Sequence, residues 1–227
     1  IIFSITAVYS AANLRISFDE PKTYFSDGIV SLSTPLFINN TGFYEITDLN
    51  ITAHIKDCNN KTISASTTII PKIPSNNNIR KAHNTTFDLK NLIRDLLYLA
   101  FNDSVFDIDT LVTLRFAKVI PIQILANATM PWGAPLHDLS TGEISLSQDR
   151  ERIAIPISFE NHAFFIVNGT MRLEVYNSKN EQISATEVFI KVMPGYKFEG
   201  FVEMDIDLSK LTREGEIHVF FETSMLS

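Results

Sequence analysis

The feature that most constrains this chain is a loose internal repeat on either side of Ala126-Asn127-Ala128-Thr129-Met130-Pro131-Trp132-Gly133-Ala134-Pro135. Leu36-Phe37-Ile38-Asn39-Asn40-Thr41-Gly42-Phe43-Tyr44 lies before it, and Ile157-Ser158-Phe159-Glu160-Asn161-His162-Ala163-Phe164-Phe165 follows it. Each is an apolar strand end, an Asn-centred turn and two adjacent aromatics. The spacing then holds: Ile63-Ser64-Ala65 returns as Ile183-Ser184-Ala185, Ile73-Pro74 as Met193-Pro194, and Leu89-Lys90-Asn91-Leu92 as Leu208-Ser209-Lys210-Leu211. A nearly constant offset reads as a duplicated domain. The expected division is an N-terminal strand over 1–12, one domain over 13–130, a joint over 131–136 and a second domain over 137–227. Pro131 and Pro135 stiffen the joint, and the single Trp132 between them either buries area between the domains or belongs to an ordinary core.

Within each copy the apolar residues mostly alternate, the period of a strand with one buried face. Leu14, Ile16 and Phe18 alternate before a turn at Asp19-Glu20-Pro21-Lys22, and long alternating runs follow over 29–38, 44–56 and 62–70. The period changes once. Leu89, Leu92, Ile93, Leu96, Leu97 and Ala100 recur at three and four residues behind a possible Asp88 cap, which predicts one short amphipathic helix packed as a lid on the first sandwich. The second copy is read as strand throughout and yields five or six runs, where an immunoglobulin-type sandwich uses about seven. One strand is therefore expected to be missing.

Composition is compatible with two ordinary cores, with 45% hydrophobic residues in 227. A net charge of -7 without a basic run argues against nucleic acid and against an anionic membrane surface. The single Cys58, in a polar turn, excludes an intrachain disulfide and a cysteine metal cluster. His54, His83, His137, His162 and His218 lack any metal-ligand spacing, so neither a metal site nor a cofactor is expected. Asp107 with Asp109 and Asp205 with Asp207 could hold a hard cation or form solvated strand faces. There is no phosphate loop and no serine-nucleophile elbow, so an enzyme is the least favoured reading.

Glycosylation motifs are in excess. Asn39, Asn50, Asn60, Asn84, Asn102, Asn127 and Asn168 all stand in Asn-x-Ser/Thr, where composition alone gives roughly three matches. The surplus favours an exported protein carrying N-linked glycans.

The order of strand, Asn-rich turn, Phe-Tyr or Phe-Phe, long hairpin, Ile-Pro or Met-Pro and Leu-rich segment resembles the late-embryogenesis-abundant group 2 family, over about residues 29–128 and 152–224. That resemblance implies immunoglobulin-like β-sandwiches and carries over no catalytic residues. Archaeal extracytoplasmic proteins with tandem sandwiches, including donor-strand-linked threads and pili, look similar. The expected fold is thus all-β, two tandem sandwiches with one short helix in the first and an extended N-terminal strand.

The uncharged opening Ile1 to Ser10, without Met, reads as a mature terminus, and ten residues fall short of a membrane span. Ile1, Phe3, Ile5, Ala7 and Tyr9 alternate, so the segment is expected to be a strand, paired at home or donated to a neighbouring copy. Donation propagates head to tail and makes an extracellular filament, a homopolymer. The alternative is a membrane-tethered surface or binding module in which Ile1 to Ser10 ends an apolar anchor lying upstream.

Overall fold

The computed structural model describes residues 2–147 and 152–223, with the backbone alone at 2–4 and 208. About 64% of the chain is strand and 10% helix, an all-β fold with two short helices. It divides into two compact units. Unit 1 holds residues 1–88 and 105–131, and unit 2 holds 89–104 and 132–227.

Unit 1 pairs two four-stranded antiparallel sheets. In the first, β3 (Ile29–Asn40) takes β1 (Leu14–Phe18) and β2 (Lys22–Ser26) end to end along one edge and β6 (Asn77–Asp88) along the other. The second runs β5 (Thr62–Ile73), β4 (Ile46–Lys56), β7 (Ser104–Phe116), β8 (Ile120–Trp132). The inward positions Leu36, Ile38, Ile46, Leu49, Ile51, Val112, Leu114 and Phe116 form one core, each large side chain contributing about 1.5–3 kcal/mol on burial.

Unit 2 repeats this plan. β11 (Arg152–Glu160) takes β9 (His137–Thr141) and β10 (Ser145–Leu146) on one edge and β14 (Lys197–Asp205) on the other, opposite a sheet of β13 (Gln182–Val192), β12 (Val167–Asn177) and β15 (Gly215–Glu222). Seven strands are thus present, and none is missing from the seven a sandwich needs. Of the two short edge strands, β10 falls in the stretch 143–146 that makes the sixth run, and only β9 is unexpected, being five residues long and too short for alternation to register. What unit 2 lacks among the described residues is a partner on the outer edge of β15, where β7 has β8.

The duplication extends to single hydrogen bonds. Buried Asn40 donates to the carbonyls of Tyr44 and Pro74 at 2.9 and 3.1 Å, and buried Asn161 to those of Phe165 and Val192 at 2.9 and 3.0 Å. Asp57 accepts the N–H groups of Asn59 and Lys61, and Asn177 those of Lys179 and Glu181, closing two hairpins that turn through left-handed Asn60 and Asn180. Ser64 donates to Thr86 O and Ser184 to Asp205 O.

Two expectations need correction. Ile2–Ala12 is an α-helix, α1, not a strand. Its even positions Ile2 and Val8 are as apolar as its odd ones, so the period of two was weak. At helical spacing Thr6, Ala7 and Ser10 fall on one face. That face is the buried one, and the Asn13 side chain holds the helix end through Tyr9 O at 2.7 Å. Ile1 lies outside the described residues. The second correction concerns the Leu-rich lid: it breaks into α2 (Leu89–Asp95) and a 3-10 turn at Leu97–Ala100, and it groups with unit 2 instead of the first sandwich.

Candidate functional site

In each unit the turn after the buried Asn is a platform on which the segment preceding the first strand is seated. In unit 1 that segment is α1. Ser10 Oγ accepts the Phe43 N–H at 2.7 Å, Thr6 Oγ1 lies 2.7 Å from the Tyr44 hydroxyl, and the Tyr9 ring stacks on Phe43 at 5.4 Å. A Cβ on Gly42 would stand 2.7 Å from Ser10 Cβ, so only glycine admits the helix this closely. The inward side of α1 is therefore small and polar. Outward stand Ile5, Val8 and Tyr9, exposed to 65%, 71% and 56%. Of the five residues expected to be donated as a strand, Ala7 is instead buried in its own unit's core, Ile5 is exposed and Tyr9 lies on Phe43. Phe3 is helical, and its side chain is not described.

In unit 2 the seated segment is the sequence 132–136. Trp132 is 1% exposed, donates from Nε1 to Leu99 O at 2.8 Å and packs against Phe164 and Phe165 with ring centres 6.3 and 6.2 Å away. It is core of unit 2. Pro131, grouped with unit 1, sits with Trp132 at the end of β8, so strand continues through the first part of the expected joint. Pro135 comes after β8 has ended and belongs to unit 2. Gly133 has no room for a side chain, because a Cβ there would stand 1.9 Å from the His162 carbonyl oxygen. The backbone then alternates partners: Ala134 O accepts His162 N–H at 2.9 Å, and Ala134 N–H donates to Asp103 Oδ1 at 2.8 Å.

This clamp gathers Asp103, His137 and His162, from the turn after the 3-10 turn, the start of β9 and the turn after β11. One ligand atom of each lies within 4.8 Å of the others. His162 Nδ1 stands 2.8 Å from Asp103 Oδ2 and its Nε2 3.2 Å from Glu160 Oε2. These two carboxylates raise the His162 pKa, Asp103 first and Glu160 second. Partial burial by itself would raise the Asp103 carboxyl, but the Ala134 N–H and the His162 imidazole outweigh it and hold that pKa below its ordinary value. The His137 ring lies flat on that of His162, with centroids 4.1 Å apart and planes at 17°. Its Nδ1 is buried without a hydrogen-bond partner among the described residues, although Asp138 Oδ2 stands 3.3 Å away out of bonding geometry. Sequence spacing could not reveal a group whose members are 25 to 59 residues apart; the Pro-Trp-Gly-Ala-Pro stretch was the visible signal.

The other expected sites stay apart. Asn60, Asn84, Asn102 and Asn127 are exposed, whereas Asn39, Asn50 and Asn168 are half-buried in strands, the last two with Oδ1 out of solvent. Asp109 is paired with Lys56 at 2.7 Å, and Asp207 is held by Ser209. Cys58 is exposed at its hairpin.

No family model and no curated protein matches the sequence. Among solved structures the chain is similar to a red sea bream transglutaminase, with 16% identity and a TM-score of 0.37, over 94% of this chain and 29% of that one. It thus spans less than a third of the transglutaminase. It is also similar to a protein from Archaeoglobus fulgidus (9% identity, TM-score 0.36, 50% of this chain, 96% of that one) and to the periplasmic chaperone SfaE (11%, 0.35, 88% and 97%). Likeness this weak carries no functional argument.

Proposed function

We propose that the chain is the extracellular part of a cell-surface protein, a tandem β-sandwich module held against a membrane by the apolar N-terminal helix. One observation carries this reading: α1 is inside out, with Thr6, Ala7 and Ser10 against its own domain and Ile5, Val8 and Tyr9 facing away. In water that arrangement leaves large apolar area exposed, and the solvent that suits such a face is lipid. Eleven residues make about 16 Å of helix, roughly half the hydrocarbon thickness. No helix among the described residues is long and apolar enough to cross a membrane. The exposed sequons at Asn60, Asn84, Asn102 and Asn127 and the resemblance to tandem late-embryogenesis-abundant group 2-like domains support the same placement.

Vesicle flotation tests it. The full chain should float with neutral phosphatidylcholine vesicles and no better with anionic ones, since the net charge of -7 offers no electrostatic attraction to anionic lipid. Ile5→Glu with Val8→Glu should abolish flotation while the β-rich circular dichroism is kept. A wild-type chain that stays in the dense fraction with every vesicle overturns the reading.

A filament subunit is the second reading, and the outer edge of β15, unpaired among the described residues, favours it. With Val219 and Phe220 partly exposed beside it, that edge can accept a strand from another copy by β-augmentation. The donor would be residues 1–9, of which 2–9 must first leave α1 and give up the Thr6 bond to Tyr44. Fibres in negative stain that vanish on deleting residues 1–10 would establish this reading over the first.

A further inference from the structure

We propose that Asp103, His137 and His162 of unit 2 bind a divalent transition-metal ion of the zinc class, independently of how the chain is attached to a surface. Two imidazoles and a carboxylate are the donor set of three-ligand zinc sites with an open fourth position, and it favours zinc, cobalt and copper over magnesium and calcium.

The three groups lie close together. Their ligand atoms lie within 4.8 Å of one another, whereas a tetrahedral ion with bonds of about 2.1 Å needs them about 3.4 Å apart. Closing that gap takes rotation of the exposed Asp103 and His162 side chains and a swing of the His137 ring out of its stack, because the in-plane lone pairs of parallel rings do not converge. Asp103 is aimed in advance, because its Oδ1 is taken by the Ala134 N–H and its Oδ2 is left facing His162 Nδ1. His162 Nδ1 now donates to Asp103 Oδ2; on metal binding that proton would leave, and Glu160 would keep the other on Nε2, the role a carboxylate plays behind a metal-bound imidazole. His137 brings a second argument. Its buried Nδ1 makes no hydrogen bond among the described residues, with Asp138 Oδ2 3.3 Å away, and an ion bound to the other ring nitrogen would set this one as an N–H facing Asp138. The ion would tie together three segments that now share hydrogen bonds and one ring stack: the turn at Asp103, the start of β9 and the turn at His162.

The test uses the full chain, stripped with chelator and returned to buffer at pH 7.5, with Zn²⁺, Co²⁺ and Ca²⁺ as probes. Calorimetry should give one strong Zn²⁺ per chain, Co²⁺ should produce the visible absorption of a low-symmetry tetrahedral site, and Ca²⁺ in excess should not compete. His137→Gln and Asp103→Asn should each weaken Zn²⁺ at least tenfold, and Glu160→Gln, which touches no metal, about tenfold. If a variant does not fold, imidazole proton resonances of the wild-type chain decide: Zn²⁺ should shift two histidines, His137 and His162, and leave His54, His83 and His218 in place. Absence of stoichiometric Zn²⁺ uptake by the wild type, or uptake that moves other histidine lines and leaves these two, overturns the proposal.

Discussion

Units 1 and 2 share a plan but finish the same platform in opposite ways. In unit 2 the aromatic pair Phe164-Phe165 is covered by Trp132, an indole that is fully buried and hydrogen-bonded. In unit 1 the equivalent Phe43-Tyr44 receives a helix that contributes hydroxyls and an alanine and leaves Ile5, Val8 and Tyr9 outside. Shared ancestry therefore fixed the seat and not what occupies it. A seat filled by a core residue serves stability; one filled by an inside-out helix points to a surface beyond the molecule.

The widest gap between the units should appear on removing the two occupants. Trp132→Ala creates a cavity of aromatic size and strands the Leu99 carbonyl, a loss of about 3–5 kcal/mol. Tyr9→Ala, removing one face of an exposed ring pair, should cost about 1 kcal/mol or less. Denaturant unfolding of both variants measures the contrast, and comparable losses would mean that α1 is as integral to unit 1 as the indole is to unit 2.

A finer comparison sets the two buried asparagines side by side. Asn40→Ala and Asn161→Ala each abandon two carbonyls, at a cost of about 2–4 kcal/mol. Asn161 should be the more costly, because its Oδ1 also accepts the Ala163 N–H at 3.0 Å while the Asn40 Oδ1 is buried without a partner. The order of the two unfolding midpoints, each against wild type, checks this.

These pins explain what could be read in the sequence. Repeated Asn, Ser and turn residues are visible because each does a local job at a fixed offset, so both hairpins and the long strands followed from the pattern. α1 did not, because β-branched residues favour a strand locally and only the unit 1 turn, distant in sequence, rewards the helical face Thr6, Ala7 and Ser10. β9 is too short to show a period, and β10 shows only as the sixth run that the stretch 143–146 allows. The Asp103, His137 and His162 group exists only because 132–136 threads between the turns that carry it.

Acid should separate the units next. Ile38 pairs with Ile79 and Phe159 with Phe198, so four residues along the strand His83 in unit 1 corresponds to Val202 in unit 2. His83 is buried, with Nε2 on Ser66 at 2.8 Å and Nδ1 on Thr68 at 2.9 Å, and desolvation lowers its pKa. The unfolded chain then binds the proton more readily than the folded one. Stability from this group is whole above the unfolded value of about 6.5, and it declines with falling pH until the lowered folded value is passed. His83→Val should flatten the acid limb of unit 1 unfolding. An unchanged limb would place the acid sensitivity elsewhere.

The smallest effect on stability separates the turn from the sugar. Asn60 and Asn180 occupy the same left-handed position in matched hairpins, with φ of 63° and 62°, yet only Asn60 begins an Asn-x-Thr motif. Glycine accepts that conformation without a Cβ penalty, so Asn60→Gly and Asn180→Gly should each change stability by less than about 0.5 kcal/mol. Their masses should differ. In protein from the native host, Asn60→Gly should lose one glycan while Asn180→Gly keeps all the wild-type glycans, if the exposed Asn60 side chain is an acceptor. If the two variants are equally light or equally heavy, Asn60 carries no sugar, and the case for export falls back on Asn84, Asn102 and Asn127.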